Sequence, residues 1–166
     1  MIPLFLGLTA FNLLCLITTT CMGYALAGHG HASSLHMMLG VLTTMACIAV
    51  HCVVFTYFIA TAKWVQHAVS VKSLSQEWVE PTRSFKMQAF PSALVAMTAV
   101  FVTAILGAAA DNYALSPRWH LAAAIGTIVI NAVVAQREYV AIVRNGKLID
   151  DLLAQINGTL NPTTSS

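Results

Sequence analysis

Charge is what this chain has least of. Only 8% of its residues are Asp, Glu, Lys or Arg, against about 25% in an ordinary soluble domain. The net charge of +2 comes from basic residues scattered along the sequence, which excludes a nucleic-acid footprint. Cysteine motifs are missing too. Cys15, Cys21, Cys47 and Cys52 all lie inside apolar runs with no CxxC or CxxCH spacing, which excludes covalent c-type haem attachment and a zinc-finger pattern and leaves them as small hydrophobes. There is no GxSxG, HExxH, P-loop or dinucleotide fingerprint, so hydrolytic and phosphoryl chemistry are unsupported and no catalytic activity of the chain on its own is expected.

Acidic residues are absent from the long apolar runs. Glu138 is placed at the inner end of the last run and Asp111 at the outer end of the third. Proton-coupled transporters need carboxylates within their spans, and neither paired broken helices nor an inverted repeat is evident, which argues against a secondary transporter.

What the chain has is hydrophobicity: 58% of its residues are hydrophobic and its mean hydropathy is +0.76. A crossing needs about 20 apolar residues, and four such runs are present, at about 3–27, 34–62, 89–110 and 117–136. They lack the alternation of barrel strands and read as helices. The expected fold is all-α, a polytopic membrane protein with a four-transmembrane-helix bundle in one domain, 1–157. Helical extensions are expected over about 63–72 and 137–157, with Asn145-Gly146 as a turn signal and 158–166 as a disordered tail. Pro91 is expected in the first turn of span three, where its missing N–H costs nothing. The first run has no preceding Lys or Arg and is too long for a signal h-region, so it reads as a retained span.

Lys and Arg near span ends stay in the cytoplasm. Lys63, Lys72, Arg83, Lys86, Arg137, Arg144 and Lys147 fall at one set of ends and only Arg118 at the other. This asymmetry places both termini in the cytoplasm and the His29 and His120 ends outside, consistent with a bacterial inner membrane.

An ionisable or polar side chain in a span is expensive unless it faces the bundle interior, which singles out His36, His51, His120 and Asn131. His36 and His120 both lie in the first turn or so of parallel spans, at matched depth. Two facing imidazoles are what a b-type haem requires, one nitrogen on each face of the macrocycle. Gly40 and Ala124, each four residues on, offer clearance for a flat ring, and Arg118 is placed to pair with a propionate. The competing reading is that these small and polar stripes only pack helices. His51 lies about 22 Å below His36 at 1.5 Å per residue, a spacing that resembles paired haem ligands on one helix of dihaem cytochromes b. No second histidine shares its depth, so Asn131 is its expected hydrogen-bond partner, or the two line a quinone pocket. His29 and His31 with Met37 and Met38 offer an outer-face copper site instead. Spans two and four share a serine start followed by a histidine, but no internal repeat is evident.

The functional expectation is therefore a membrane subunit of an electron-transfer complex, exchanging electrons with quinol or a periplasmic carrier. Its partners would be lipid and other membrane subunits. The alternative is an accessory subunit with no cofactor.

Overall fold

The computed structural model describes residues 1–26, 34–112 and 114–160. It is all-helical: α1 (Ile2–Leu26), α2 (Ser34–Val71), a short 3-10 turn (Gln76–Trp78), α3 (Glu80–Asp111) and α4 (Pro117–Leu160). All four helices are long and apolar enough to cross a membrane. At 1.5 Å per residue, the 38 residues of α2 and the 44 of α4 exceed a hydrocarbon core of about 30 Å.

The distribution of side chains is the reverse of that in a soluble bundle. Leu4, Phe11, Leu14, Val41, Met45, Leu94, Phe101, Ile105 and Val129 are exposed, while Asn12, Thr43, His51, Thr127, Asn131, Glu138 and Asn145 are buried. Lipid tolerates such a surface, and a bundle interior is where polar groups find partners. Several threonines on the spans return their hydroxyls to the carbonyl four residues back, as Thr20 does to Leu16, Thr44 to Gly40 and Thr56 to Cys52. Each of these hydroxyls is thereby satisfied within its own helix, with no call on water.

Helices alternate in direction. α1 packs against α2 and α4, and α3 packs against the same two, so α2 and α4 run parallel and face each other across the diagonal. Three apolar clusters are stacked along the bundle. Leu16, Cys47 and Val100 form one; Phe5, Val54, Phe58, Ala89, Ala141 and Ile142 the next; and Val65, Val69 and Leu152 the last, joined by Leu74, Trp78, Val79, Ile149 and Ile156. The last cluster is built from the charged end of the chain, where α2, the 3-10 turn and α4 meet.

Helix bounds differ from the sequence expectation in three places. α3 begins at Glu80 rather than near residue 89, with Pro81 in its first turn, so Pro91 lies inside the helix and deprives the Met87 carbonyl of its usual donor. α4 passes through Asn145-Gly146 without a turn and on to Leu160, because Ile142, Ile149 and Leu152 carry its buried face onward and packing outweighs the local breaker. The 158–160 part of the expected tail is thus helical, and 161–166 lie outside the described residues.

The end of α2 is a Schellman turn. Ser73 adopts φ 51, Ser73 N–H donates to the Ser70 carbonyl and Leu74 N–H to the Val69 carbonyl, and Leu74 packs on the cluster containing Val69. A non-glycine residue in this conformation costs about 1–2 kcal/mol. Ser73→Gly is expected to stabilise the fold by about 1 kcal/mol, measured as a rise in the thermal midpoint in detergent.

Candidate functional site: two histidines on the bundle axis

The upper part of the diagonal is open. A cavity of about 1000 Å³ lies between the helices, lined among others by Gly23, His36, Gly40, Gly107, His120 and Ala124. His36 from α2 and His120 from α4 meet across it with ring centres 6.2 Å apart and planes at 73°. Both rings are half-buried.

Each ring rests on the backbone of the preceding helix at a glycine. A Cβ on Gly23 would stand 2.8 Å from His36 Cε1, and one on Gly107 would stand 2.9 Å from His120 Cε1. These approaches are closer than any side chain permits, so glycine is required at both positions for the rings to stay where they are. His120 Nδ1 lies 3.1 Å from the Thr103 carbonyl. A carbonyl only accepts, so Nδ1 carries the proton and Nε2 presents its lone pair, the tautomer that metal-ligating histidines take when their second nitrogen is so held.

A second set of contacts repeats the first. Thr19 and Thr43 hydroxyls meet at 2.9 Å, and those of Thr103 and Thr127 at 2.8 Å. Thr103, Gly107, His120, Ala124 and Thr127 each lie 84 positions after Thr19, Gly23, His36, Gly40 and Thr43. The α1–α2 and α3–α4 hairpins therefore present one design twice; the histidines near the starts of α2 and α4 belong to it, whereas the serines do not, since Ser34 is matched by Arg118. The repeat escapes sequence inspection because intervening positions have diverged, as Tyr24 against Ala108 and Cys47 against Asn131 show.

Gly40 and Ala124 line the cavity as the sequence suggests, although Gly40 is nearest Thr19 rather than a histidine. Arg118 is exposed at the cavity mouth, which Asp111 also lines. His29 and His31, on which a copper site depends, lie outside the described residues. Among the described residues no three His, Cys, Asp or Glu side chains converge as a metal group.

Below the cavity the axis is polar again. His51 Nε2 is 3.4 Å from Asn131 Oδ1, and His51 Nδ1 is 2.9 Å from Glu138 Oε1. Asn131 Oδ1 also receives Asn12 Nδ2 at 3.2 Å and Cys47 Sγ at 3.3 Å. Glu138, expected at the end of the last apolar run, is turned into the bundle interior. Only 1% exposed, it is the one acidic side chain buried among the described residues. Its place beside Arg137 suggests an interfacial residue, but helical phase turns the two apart. Asn131, Glu138 and Asn145 recur every seven residues on one buried face of α4. One stage further down, Asn145 donates to Tyr57 Oη at 3.0 Å and to Thr61 Oγ1 at 3.1 Å. His67 is exposed.

Compared with protein-family models, curated proteins and solved structures, the chain has no match.

Removing one partner of a buried pair strands the other, at a cost of about 3–5 kcal/mol. Glu138→Leu is expected to destabilise by about that amount in a detergent unfolding titration. Combining it with His51→Leu should recover a large part of the loss, and strict additivity of the two would show that the contact is not formed.

Proposed function

We propose that the protein is a membrane-embedded electron-transfer subunit that holds one b-type haem between His36 and His120. The observation that carries the reading is the pair of rings facing each other across the cavity. A metal at about 2 Å from one nitrogen of each ring places the ring centres about 6 Å apart, and the observed separation is 6.2 Å. Two imidazoles are too few donors for a bare ion, whereas a macrocycle brings four equatorial nitrogens of its own. The cavity volume, its small lining residues and the free lone pair on His120 Nε2 fit the same group.

When bound, the haem supplies a one-electron redox centre. The chain's own residues do the rest. Thr103 holds His120 in the ligating tautomer, Gly23 and Gly107 give both rings their seats, and Arg118 supplies positive charge at the mouth for carboxylates on the group's edge. The apolar helices around the axis exclude water, which favours a stable low-dielectric redox site over ligand exchange.

The distribution of Lys and Arg supports an orientation with the basic end, from Lys63 to Lys86 and the end of α4, in the cytoplasm of a bacterial inner membrane, and the two histidines near the periplasmic face. Electrons would then be exchanged with quinol or a periplasmic carrier, within a larger membrane complex. A cofactor-free accessory subunit is the competing reading, supported by the threonine pairs and small residues that would also serve helix packing.

A reduced-minus-oxidised spectrum of the purified protein separates the two. The expected result is a b-type α-band that is lost in His36→Ala and in His120→Ala. Gly23→Ala and Gly107→Ala should keep the fold but lower haem content several-fold, because the added methyl pushes the ring off its seat. A colourless preparation with no extractable haem overturns the proposal.

A further inference from the structure

The His51–Glu138 pair is not needed to hold a haem, yet it is wired to the proposed site. His120 Nδ1–H donates to the Thr103 carbonyl. The Thr103 hydroxyl meets that of Thr127, whose carbonyl accepts Asn131 Nδ2 at 2.9 Å. Asn131 Oδ1 faces His51 Nε2, and His51 Nδ1 faces Glu138 Oε1. One continuous set of contacts thus joins the His120 imidazole to a buried carboxylate.

The hydrogen-bond pattern also counts protons. Because Asn131 gives its Nδ2 to Thr127, its Oδ1 is an acceptor turned toward His51, and an Nε2–H fits it beside the donors of Asn12 and Cys47. A second proton must then lie between Nδ1 and Glu138 Oε1, whether imidazolium meets carboxylate or imidazole meets carboxylic acid. Losing that proton leaves a net negative charge in the bundle interior. Nδ1 then keeps the remaining hydrogen toward the carboxylate, and Nε2 opposes Asn131 lone pair to lone pair. Asn131 must turn or yield, and Asn131 is tied to the cavity floor through Thr127.

Two further buried acceptors flank the pair. Asn12 Oδ1 and Asn145 Oδ1 are buried without a protein hydrogen-bond partner, on side chains 3% and 1% exposed. Buried acceptors of this kind are where ordered water sits. Asn12 contacts Asn131 above the pair, and Asn145 lies two helical turns below Glu138, toward the basic end. Val54, Phe58 and Ile142 form the apolar layer between Asn145 and the pair. Among the described residues little competes for the proton. Cys47 is the other titratable group on the pair's polar cluster, and the Tyr57 phenol is engaged one stage below, with Asn145. α1 contributes Asn12, and the buried residues of α3 are uncharged.

We propose that His51 and Glu138, linked through Asn131, Thr127 and Thr103 to His120, form a proton site that loads when the haem is reduced. This rests on the haem reading above. Reduction of a haem held there would add one electron, supplied by the quinol or carrier. One proton would pass from water to the site between His51 Nδ1 and Glu138 Oε1. The added electron and proton cancel, so the net charge of the low-dielectric interior is unchanged.

The test uses the full-length haem-loaded protein in weakly buffered detergent with a pH indicator, together with reduced-minus-oxidised infrared spectra in H2O and D2O. The expected result is uptake of about one proton per haem on reduction, a midpoint potential that falls as pH rises, and a Glu138 carboxyl or His51 imidazolium band that shifts in D2O. In Glu138→Gln, the α-band should remain while uptake, pH dependence and carboxyl band are lost, and His51→Gln should lose the first two. Should neither variant fold, the infrared bands of the Glu138 carboxyl and the His51 imidazolium in the unmodified protein decide alone. A red protein with neither band, or variants with unchanged uptake, overturns the proton site and leaves the haem reading intact. A colourless protein overturns the haem reading and takes the coupling with it.

Discussion

The structure depends on satisfying polar side chains that are buried away from bulk water. Asn12, His51, Asn131, Glu138 and Asn145 are each almost wholly buried, and each would cost several kcal/mol if left without partners in a dry interior. Because α2 and α4 face each other across the diagonal, most of these groups meet there. His51 reaches Glu138 and Asn131, Cys47 reaches Asn131, and Asn145 reaches Tyr57 and Thr61. Such contacts contribute modestly to net stability in membranes, but mismatching them is expensive. They therefore fix the register of two helices whose outer surfaces are nearly uniform hydrocarbon.

The same register brings His36 and His120 to one depth. The hairpin repeat then supplies each ring with an equivalent seat, a glycine behind it and a threonine pair below. The repeat fails further down, where the counterpart of Cys47 is Asn131, that of Val54 is Glu138, and that of His51 is Ala135. The half of the bundle that holds His36 and His120 is thus nearly two-fold, suited to a group approached equally from both sides. The other half is one-sided and holds the buried His51–Glu138 pair. This division separates the proposed electron site from the proposed proton site within one small bundle.

The four long apolar helices are legible in the sequence because an apolar run of spanning length has little use in a water-soluble fold, and the His36–His120 pair is legible because depth follows from position along parallel helices. Asn131 is also identifiable as a neighbour of His51. Glu138 is not, because it lies beyond the most apolar stretch and beside Arg137, where only helical phase distinguishes an inward residue from an outward one. Gly23 and Gly107 give no local signal, since glycine is common in spans. Only the 84-residue offset, read with the threonines and histidines together, marks them. The helix bounds depart from the sequence pattern at Pro91 and at Asn145-Gly146 because both are local breakers that long-range packing overrides.

The crossed arrangement of the two imidazoles makes the haem reading directly measurable. Electron paramagnetic resonance of the oxidised protein should show a low-spin iron with the strongly anisotropic signal of two axial imidazoles whose planes are nearly perpendicular, as the 73° between the rings requires. A high-spin signal from iron held by one ligand, or no iron signal at all, would contradict it.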